Sequence, residues 1–148
     1  MIKLCALLAG DIEPGIYRFA SRIAPDQVCD VVERAGWRCA YIDARGIASN
    51  LAFLDAFAGA LNFPDYFGRN WDAFEECLCD LSWGNFNGAK GVIVILDRPD
   101  GFARAQPEGW AVARDVLAGA VTTHAQTGRP LVVLLRGSRT AAAGLESL

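Results

Sequence analysis

Two uninterrupted apolar runs, Val92 to Leu96 and Leu131 to Leu135, constrain the fold of this chain most strongly. A strand that is apolar at every position leaves no face for solvent, so each run predicts a central strand covered on both sides. Between the runs, Gln106 to Gln126 has the apolar spacing of one long helix, with Pro107 tolerated in its first turn. A strand, a crossover helix and a second strand indicate a parallel sheet.

Shorter segments on the N-terminal side continue this alternation. Strands are predicted at Ile16 to Phe19 and at Trp37 to Ile42, and helices at Pro25 to Arg34 and Asn50 to Leu61. Met1 to Ala9 is expected to form a short strand or an ordered arm. The predicted fold class is therefore α/β, a small parallel β-sheet packed with α-helices.

Length, charge and hydropathy exclude several classes of protein. The 148 residues, 53% of them hydrophobic, suit one domain with a sizeable core. With 17 acidic against 14 basic residues the net charge is −3, which offers no basic surface for nucleic acid. No stretch approaches about 20 apolar residues, so no membrane span is expected. The apolar run from Leu4 to Ala9 is shorter than the core of a signal peptide.

The five cysteines show neither the spacing of a metal site nor the framework of a secreted protein. Cys77 and Cys79 are too close together for an ordinary zinc pair. We expect buried or free thiols in a reducing cytoplasm, and we predict neither a metal nor a cofactor. The single histidine, His124, is expected to be a surface or dipole-stabilised residue near a helix C-terminus rather than a catalytic base.

The stretch from Asn62 to Leu81 is the candidate working face. Pro64 ends any helix arriving from the N-terminal side, Gly68 allows a sharp or left-handed turn, and Asn70 suits the N-cap of a following helix. That helix carries an apolar stripe that includes Trp71.

Acidic side chains occupy the rest of this helix surface, chiefly Asp72, Glu75 and Glu76. The simplest interpretation of such a group is a solvated helix face. Large aromatic residues in the preceding turn, Tyr66 and Phe67, favour instead an interface for a basic partner. Both interpretations remain open at the level of the residues alone.

The run FPDYFGRNWDAF, from Phe63 to Phe74, resembles the signature segment of the barstar family of ribonuclease inhibitors. The segment from Ile42 to Ile47 is similar to the first strand and turn of that family. The resemblance implies an intracellular protein, not an enzyme, that blocks the cationic active site of a secreted or toxin ribonuclease. It further implies three core strands, to which the N-terminal strand adds, and a role as a toxin immunity protein.

The resemblance also implies the residues that contact the partner: Tyr66, Gly68, Asn70, Asp72, Glu75 and Glu76. Glu76 stands where the family has an aspartate that takes the place of a substrate phosphate. Glu75 stands where the best-known member has a tryptophan, and near Thr123 no acid matches a second contact glutamate. The predicted domain is 37–137, with an N-terminal extension 1–36 packed on it and a polar, alanine-rich tail 138–148 open to disorder.

Two alternatives stay open. A barstar-like scaffold can bind a different basic partner. A small α/β enzyme or ligand-binding domain would place its site at the strand ends near Asp43 and Asp97, where open parallel sheets bind ligands. A deep pocket with convergent polar groups would favour the second alternative, and an open acidic face would favour a protein partner.

Overall fold

A computed structural model of the protein describes residues 1–64, 67–81, 86 and 88–148. The strands are β1 (Ile16–Phe19), β2 (Arg38–Asp43), β3 (Val92–Asp97) and β4 (Leu131–Arg136). The helices are α1 (Ile2–Leu8), α2 (Pro25–Arg34), α3 (Asn50–Leu61), α4 (Trp71–Cys79), α5 (Asp100–Ala105) and α6 (Pro107–Ala125). In the described part of the chain the strands form one parallel sheet in the order β1-β4-β3-β2. The predicted α/β class, including the N-terminal strand, is confirmed.

Helices cover both faces of the sheet, which is why its central strands are apolar throughout. On one face Val94 of β3 and Val133 of β4 pack with α3, α4, α5 and α6. On the other face Ile93 and Ile95 of β3 pack with α1 and α2. Every residue of β3 is buried, whereas β2, at the edge, alternates buried and exposed positions along its second half.

The N-terminal segment is a helix, where the sequence predicts a short strand or an ordered arm. Leu4 and Leu7 are fully buried against the sheet, at 0% and 1% exposure. Residues three apart lie on one face of a helix but on opposite faces of a strand, so only a helix buries both. The predicted long helix is present as α6, which begins at Pro107. Gln106, with φ −134° and ψ 71°, separates it from the short helix α5, which was not predicted from the sequence.

Cys29 of α2 and Cys39 of β2 form a disulfide, with Cα atoms 5.4 Å apart. The prediction of thiols is wrong for this pair, because the α2 crossover brings together two cysteines whose sequence spacing has no recognisable pattern. Cys5, Cys77 and Cys79 are free. Within the ranges given above, no group of metal-binding side chains occurs, and no helix is long and apolar enough to cross a membrane.

Residues 138–148, which the sequence leaves open to disorder, pack onto the sheet. Ala141 and Ala142 are buried in the core beside α6. The N–H of Arg18 in β1 donates to the carbonyl of Glu146 at 2.8 Å, and the N–H of Leu148 donates to the carbonyl of Arg18 at 2.8 Å. This segment therefore covers the outer edge of β1. The domain boundaries at residues 36 and 137 stay predictions.

Candidate functional site

The turn between α3 and α4 begins with a left-handed residue. Asn62, directly after α3, has φ 54° and ψ 51°, and its N–H donates to the carbonyl of Ala58. This cap ends α3 where the sequence predicts, ahead of Pro64. Tyr66, one of the predicted contact residues, lies outside the described residues.

Arg69, rather than Gly68, supplies the left-handed backbone of this turn, with φ 52°. Its guanidinium donates to both carboxylate oxygens of Asp55 on α3, at 2.9 and 2.8 Å, and so fastens the turn to that helix. A Cβ on Gly68 would lie 3.1 Å from Nδ2 of Asn70. A side chain at this position would therefore press on the amide of Asn70, and glycine avoids that tight contact. Sequence reasoning missed Arg69, whose role depends on a partner 14 positions away.

Asn70 is the N-cap of α4, as the sequence predicts. Its Oδ1 accepts a hydrogen bond from the N–H of Ala73 at 2.8 Å, and its Nδ2 donates to the carbonyl of Gly68 at 3.3 Å. The cap satisfies one of the free N–H groups at the helix start. Both polar atoms of the side chain are thus occupied within the turn, and a direct contact to a partner stays a prediction.

Asp72, Glu75 and Glu76 lie on one side of α4, and we call these three residues the α4 acidic face. Their spacing of three and four positions places them as neighbours on a helix surface. All three side chains are exposed, and none forms a hydrogen bond or ion pair with another described residue. The opposite side of α4 is anchored by Phe74 and Leu78, both at 0% exposure. A fixed helix therefore presents three unneutralised carboxylates to solvent.

Two aromatic side chains near this face, Phe67 and Trp71, pack against the core. The ring of Trp71 lies 5.9 Å from that of Phe53 and 5.7 Å from that of Phe74. The ring of Phe67 lies 5.1 Å from that of Phe63. Trp71 and Phe67 are half-buried against these partners, so they position α4 more than they extend its outer surface.

His124 fastens the other end of α4. Its Nε2 donates to the carbonyl of Leu78 at 2.8 Å, and the residue is only 8% exposed. His124 lies in the last turn of α6, near the helix C-terminus as predicted. The surface position is wrong, because this turn packs against α4 and buries the ring. Thr123, beside His124, forms a side-chain hydrogen bond with Cys79. Burial raises the pKa of the Cys79 thiol, and this hydrogen bond offsets part of the increase.

The strand-end aspartates, Asp43 and Asp97, are neighbours in the register of β2 and β3, but each is paired. Hydrogen bonds from Arg45 lower the pKa of Asp43 to about 2. Asp97 accepts from Nη1 of Arg136 at 3.1 and 3.0 Å and from the hydroxyl of Tyr41 at 2.6 Å. Burial, followed by the bond to Asp97, raises the pKa of Tyr41 to about 12. Both carboxylates are therefore already engaged by arginine side chains.

Two solved structures resemble the chain in fold. One is Drosophila ORC bound to DNA, with a TM-score of 0.55, 18% identity, and coverage of 93% of this chain and 36% of the other. The second is the Aeropyrum pernix ORC2 protein in ADPNP-ADP complexes, with a TM-score of 0.52, 16% identity, and coverage of 95% and 40%. This chain spans less than half the length of either, and the likeness concerns the fold alone. No curated protein matches the sequence.

This comparison corrects the function predicted from the sequence. The sequence predicts an intracellular inhibitor of a barnase-like ribonuclease, whereas the two solved structures are ORC proteins. The predicted inhibitor function is therefore wrong as stated. The likeness covers 93% and 95% of this chain, whereas residues 1–36, which place β1 beside β4 and cover the second face of the sheet, were not part of the sequence resemblance. Those residues lie outside the segment from which the function was inferred.

The family assignment has separate support. The family model described as Barstar (barnase inhibitor) matches residues 37–136. The match includes β2, β3, β4, the turn after α3 and the α4 acidic face, and it extends over more than half of the chain. The chain belongs to the barstar family.

Proposed function

We propose that this protein is a non-catalytic binding module whose α4 acidic face engages a basic protein partner. The observation that carries the proposal is the exposure of Asp72, Glu75 and Glu76, without neutralising partners among the described residues, on a helix fastened at both ends. A description of the family as an inhibitor family supports a protein partner rather than a chemical reaction. The identity of that partner is left to experiment.

Electrostatics supports a basic partner. Asp55, which lies near the turn, is neutralised by Arg69, and α4 has no basic residue in its last turn. The carboxylates of the α4 acidic face therefore act together on an approaching cation. Complementary charge speeds encounter and favours the correct partner, and added salt screens both effects.

Several observations support a non-catalytic role. Asp43 and Asp97 are held in ion pairs, and Nε2 of His124 is occupied by a carbonyl. The nucleotides named for the Aeropyrum pernix protein are not carried over to this chain. The sequence contains no G-x-x-x-x-G-K-[ST] run, and the loop after β1, residues 20–24 (ASRIA), has neither glycine nor lysine.

The cytoplasmic location is part of this proposal and has a simple test. Disulfides are rare in a reducing cytoplasm. If the protein works there, Cys29 and Cys39 will react with a thiol reagent when cells are lysed under alkylating conditions. If Cys29 and Cys39 are alkylated only after a reductant is added, the protein works in an oxidising compartment.

The binding proposal is tested with two variants of equal charge change. Asp72→Asn with Glu76→Gln removes two charges from the α4 acidic face. Asp30→Asn with Glu33→Gln removes two exposed charges from α2, on the opposite face of the sheet. Each protein is titrated by calorimetry against barnase, as a basic probe, and against small basic proteins of other folds, at low and moderate salt.

We expect salt-sensitive binding of at least one basic protein. The α4 variant should weaken it by about 2 kcal/mol or more if the carboxylates are desolvated in the interface. The α2 variant should change the binding free energy by less than about 0.5 kcal/mol. Its carboxylates act on the partner only through a screened, long-range electrostatic field. Equal losses in the two variants, or no binding to any basic protein, would refute the proposal.

A further inference from the structure

A cavity of about 440 Å³ opens at the carboxyl ends of β1 and β4. Its walls include Arg18 and Ala20 from β1 and its exit, Ser138 and Arg139 from the exit of β4, and Asp100 from α5. Small-molecule sites in proteins have volumes of roughly 300–1,000 Å³. The cavity therefore has the size of a ligand site, and none of the described residues that line it belongs to the α4 acidic face.

The chain topology explains why a crevice forms here. β1 and β4 are neighbours in the sheet. The chain leaving β1 continues into α2 on one face, while the chain leaving β4 continues to Ala141 and Ala142, which pack on the other face. Connections that diverge from adjacent parallel strands open a crevice at the carboxyl edge, where open α/β sheets bind their ligands.

Two arginines give the cavity a positive charge. The guanidinium of Arg18 donates from Nε and Nη2 to the hydroxyl of Ser147, both at 3.3 Å, and this neutral partner leaves its charge uncompensated. The side chain of Arg139 is exposed and forms no hydrogen bond or ion pair with another described residue.

The carboxylate of Asp100 also lines the cavity and keeps its negative charge, so the two arginines leave a net positive charge of one; its oxygens are taken up by hydrogen bonds from the loop after β4. Its Oδ1 accepts from the hydroxyl of Ser138 at 2.6 Å and from the N–H of Ala141 at 3.0 Å. Its Oδ2 accepts from the N–H groups of Arg139 at 2.8 Å and Thr140 at 3.2 Å. The loop that carries Arg139 is thereby fixed in place before any ligand arrives.

We infer that this cavity binds a small phosphorylated molecule, with Arg18 and Arg139 as the phosphate ligands. A phosphate monoester carries a charge of about −1.5 to −2 near neutral pH, so the net positive charge of the cavity attracts it and its oxygens can accept from the two guanidinium groups. The planar donors of arginine also fit phosphate oxygens in pairs. The cavity is larger than a phosphate group, and Ala20 leaves room for the organic part of the ligand. This inference does not depend on the function proposed for the α4 acidic face.

The inference is tested on the full chain by NMR titration with glucose 6-phosphate, inorganic phosphate and acetate. We expect saturable shifts of the amides of Ala20, Gly137 and Arg139, with glucose 6-phosphate binding more tightly than inorganic phosphate and acetate binding least. Arg18→Gln and Arg139→Gln should each weaken binding by about tenfold, since each removes a charge-assisted hydrogen bond.

The controls separate a specific site from general charge. Arg34→Gln and Arg104→Gln remove exposed arginines from α2 and α5 and should leave the affinity unchanged. Ser147→Ala removes the partner of Arg18 without changing the charge, and phosphate binding should survive it. The inference is overturned if no phosphate compound gives saturable shifts, if acetate binds equally well, or if the control arginine variants weaken binding as much as Arg18→Gln and Arg139→Gln do.

Discussion

At the start of α4, one side chain determines both the shape of the turn and the beginning of the helix. Asn70 caps the helix through Ala73 and holds the preceding turn through the carbonyl of Gly68. The absence of a Cβ at Gly68 makes room for that amide. These residues fix where the carboxylates of the α4 acidic face point, even if they never touch a partner.

We predict that Asn70→Ala lowers the free energy of unfolding by about 1 kcal/mol, the usual cost of losing a side-chain N-cap. Asn70→Asp keeps an acceptor for the N–H of Ala73 and adds a charge favourable to the helix N-terminus, so it should retain most of the stability. Urea denaturation monitored by circular dichroism measures both. If alanine and aspartate behave alike, the cap contributes nothing and α4 is held by packing alone.

At the level of elements, Asp100 joins the first turn of α5 to the segment after β4. Its pKa is about 2, below the usual 3.8: partial burial acts to raise it, but hydrogen bonds from Ser138 and from the N–H groups of residues 141, 139 and 140 outweigh that effect. A carboxylate with a depressed folded-state pKa stabilises the fold when ionised. That stabilisation is complete above about pH 4 and is lost as the pH falls toward about 2.

Asp100→Asn should therefore lower stability at neutral pH by about 1–3 kcal/mol, because backbone N–H groups lose their acceptors. Its stability should also fall less steeply than that of the wild type between about pH 4 and 2. Denaturant midpoints measured across this pH range test both expectations. Asp43→Asn serves as the comparison, since the pKa of Asp43 is also about 2 but its partner Arg45 is exposed. The loss of stability caused by Asp43→Asn should be smaller than that caused by Asp100→Asn, and it should fade with added salt. If added salt reduces the effect of Asp100→Asn equally, our account is contradicted.

At the level of the whole molecule, the sheet needs helices on both faces. Residues 1–36 supply α1, β1 and α2, which cover Ile93, Ile95, Val132 and Leu134, all at 0% exposure. The family match begins at residue 37, immediately after this cover. The N-terminal segment and the matched residues therefore share one core.

We predict that a chain of residues 37–148 does not unfold cooperatively and associates in solution, because its sheet would expose a contiguous apolar face. Size-exclusion chromatography and thermal melts compare it with the full chain. Leu4→Ala in the full chain is the control: it should cost about 2–5 kcal/mol yet keep a cooperative transition. A monomeric, cooperatively folded 37–148 chain would show that the N-terminal segment is an accessory.

The sequence by itself determined the α/β class, the helices α2 and α3, the two central strands and the cap at Asn70. These features depend on apolar periodicity and on contacts within a few residues, which the order of side chains displays directly. It also identified the family, but the function inferred from that family was wrong as stated. The acidic helix is visible in the sequence, whereas the lack of neutralising partners among the residues that the structure describes is not.

Only the tertiary structure decided the features that join distant residues. It placed β1 beside β4, joined Cys29 to Cys39, buried His124 against α4 and paired Asp97 with Arg136. It also brought Arg18 within hydrogen-bonding distance of Ser147, 129 positions away, and placed Arg18 and Arg139 in the lining of one cavity. Such contacts depend on the spatial order of the strands in the sheet. Local propensities in the sequence do not reveal which strands become neighbours.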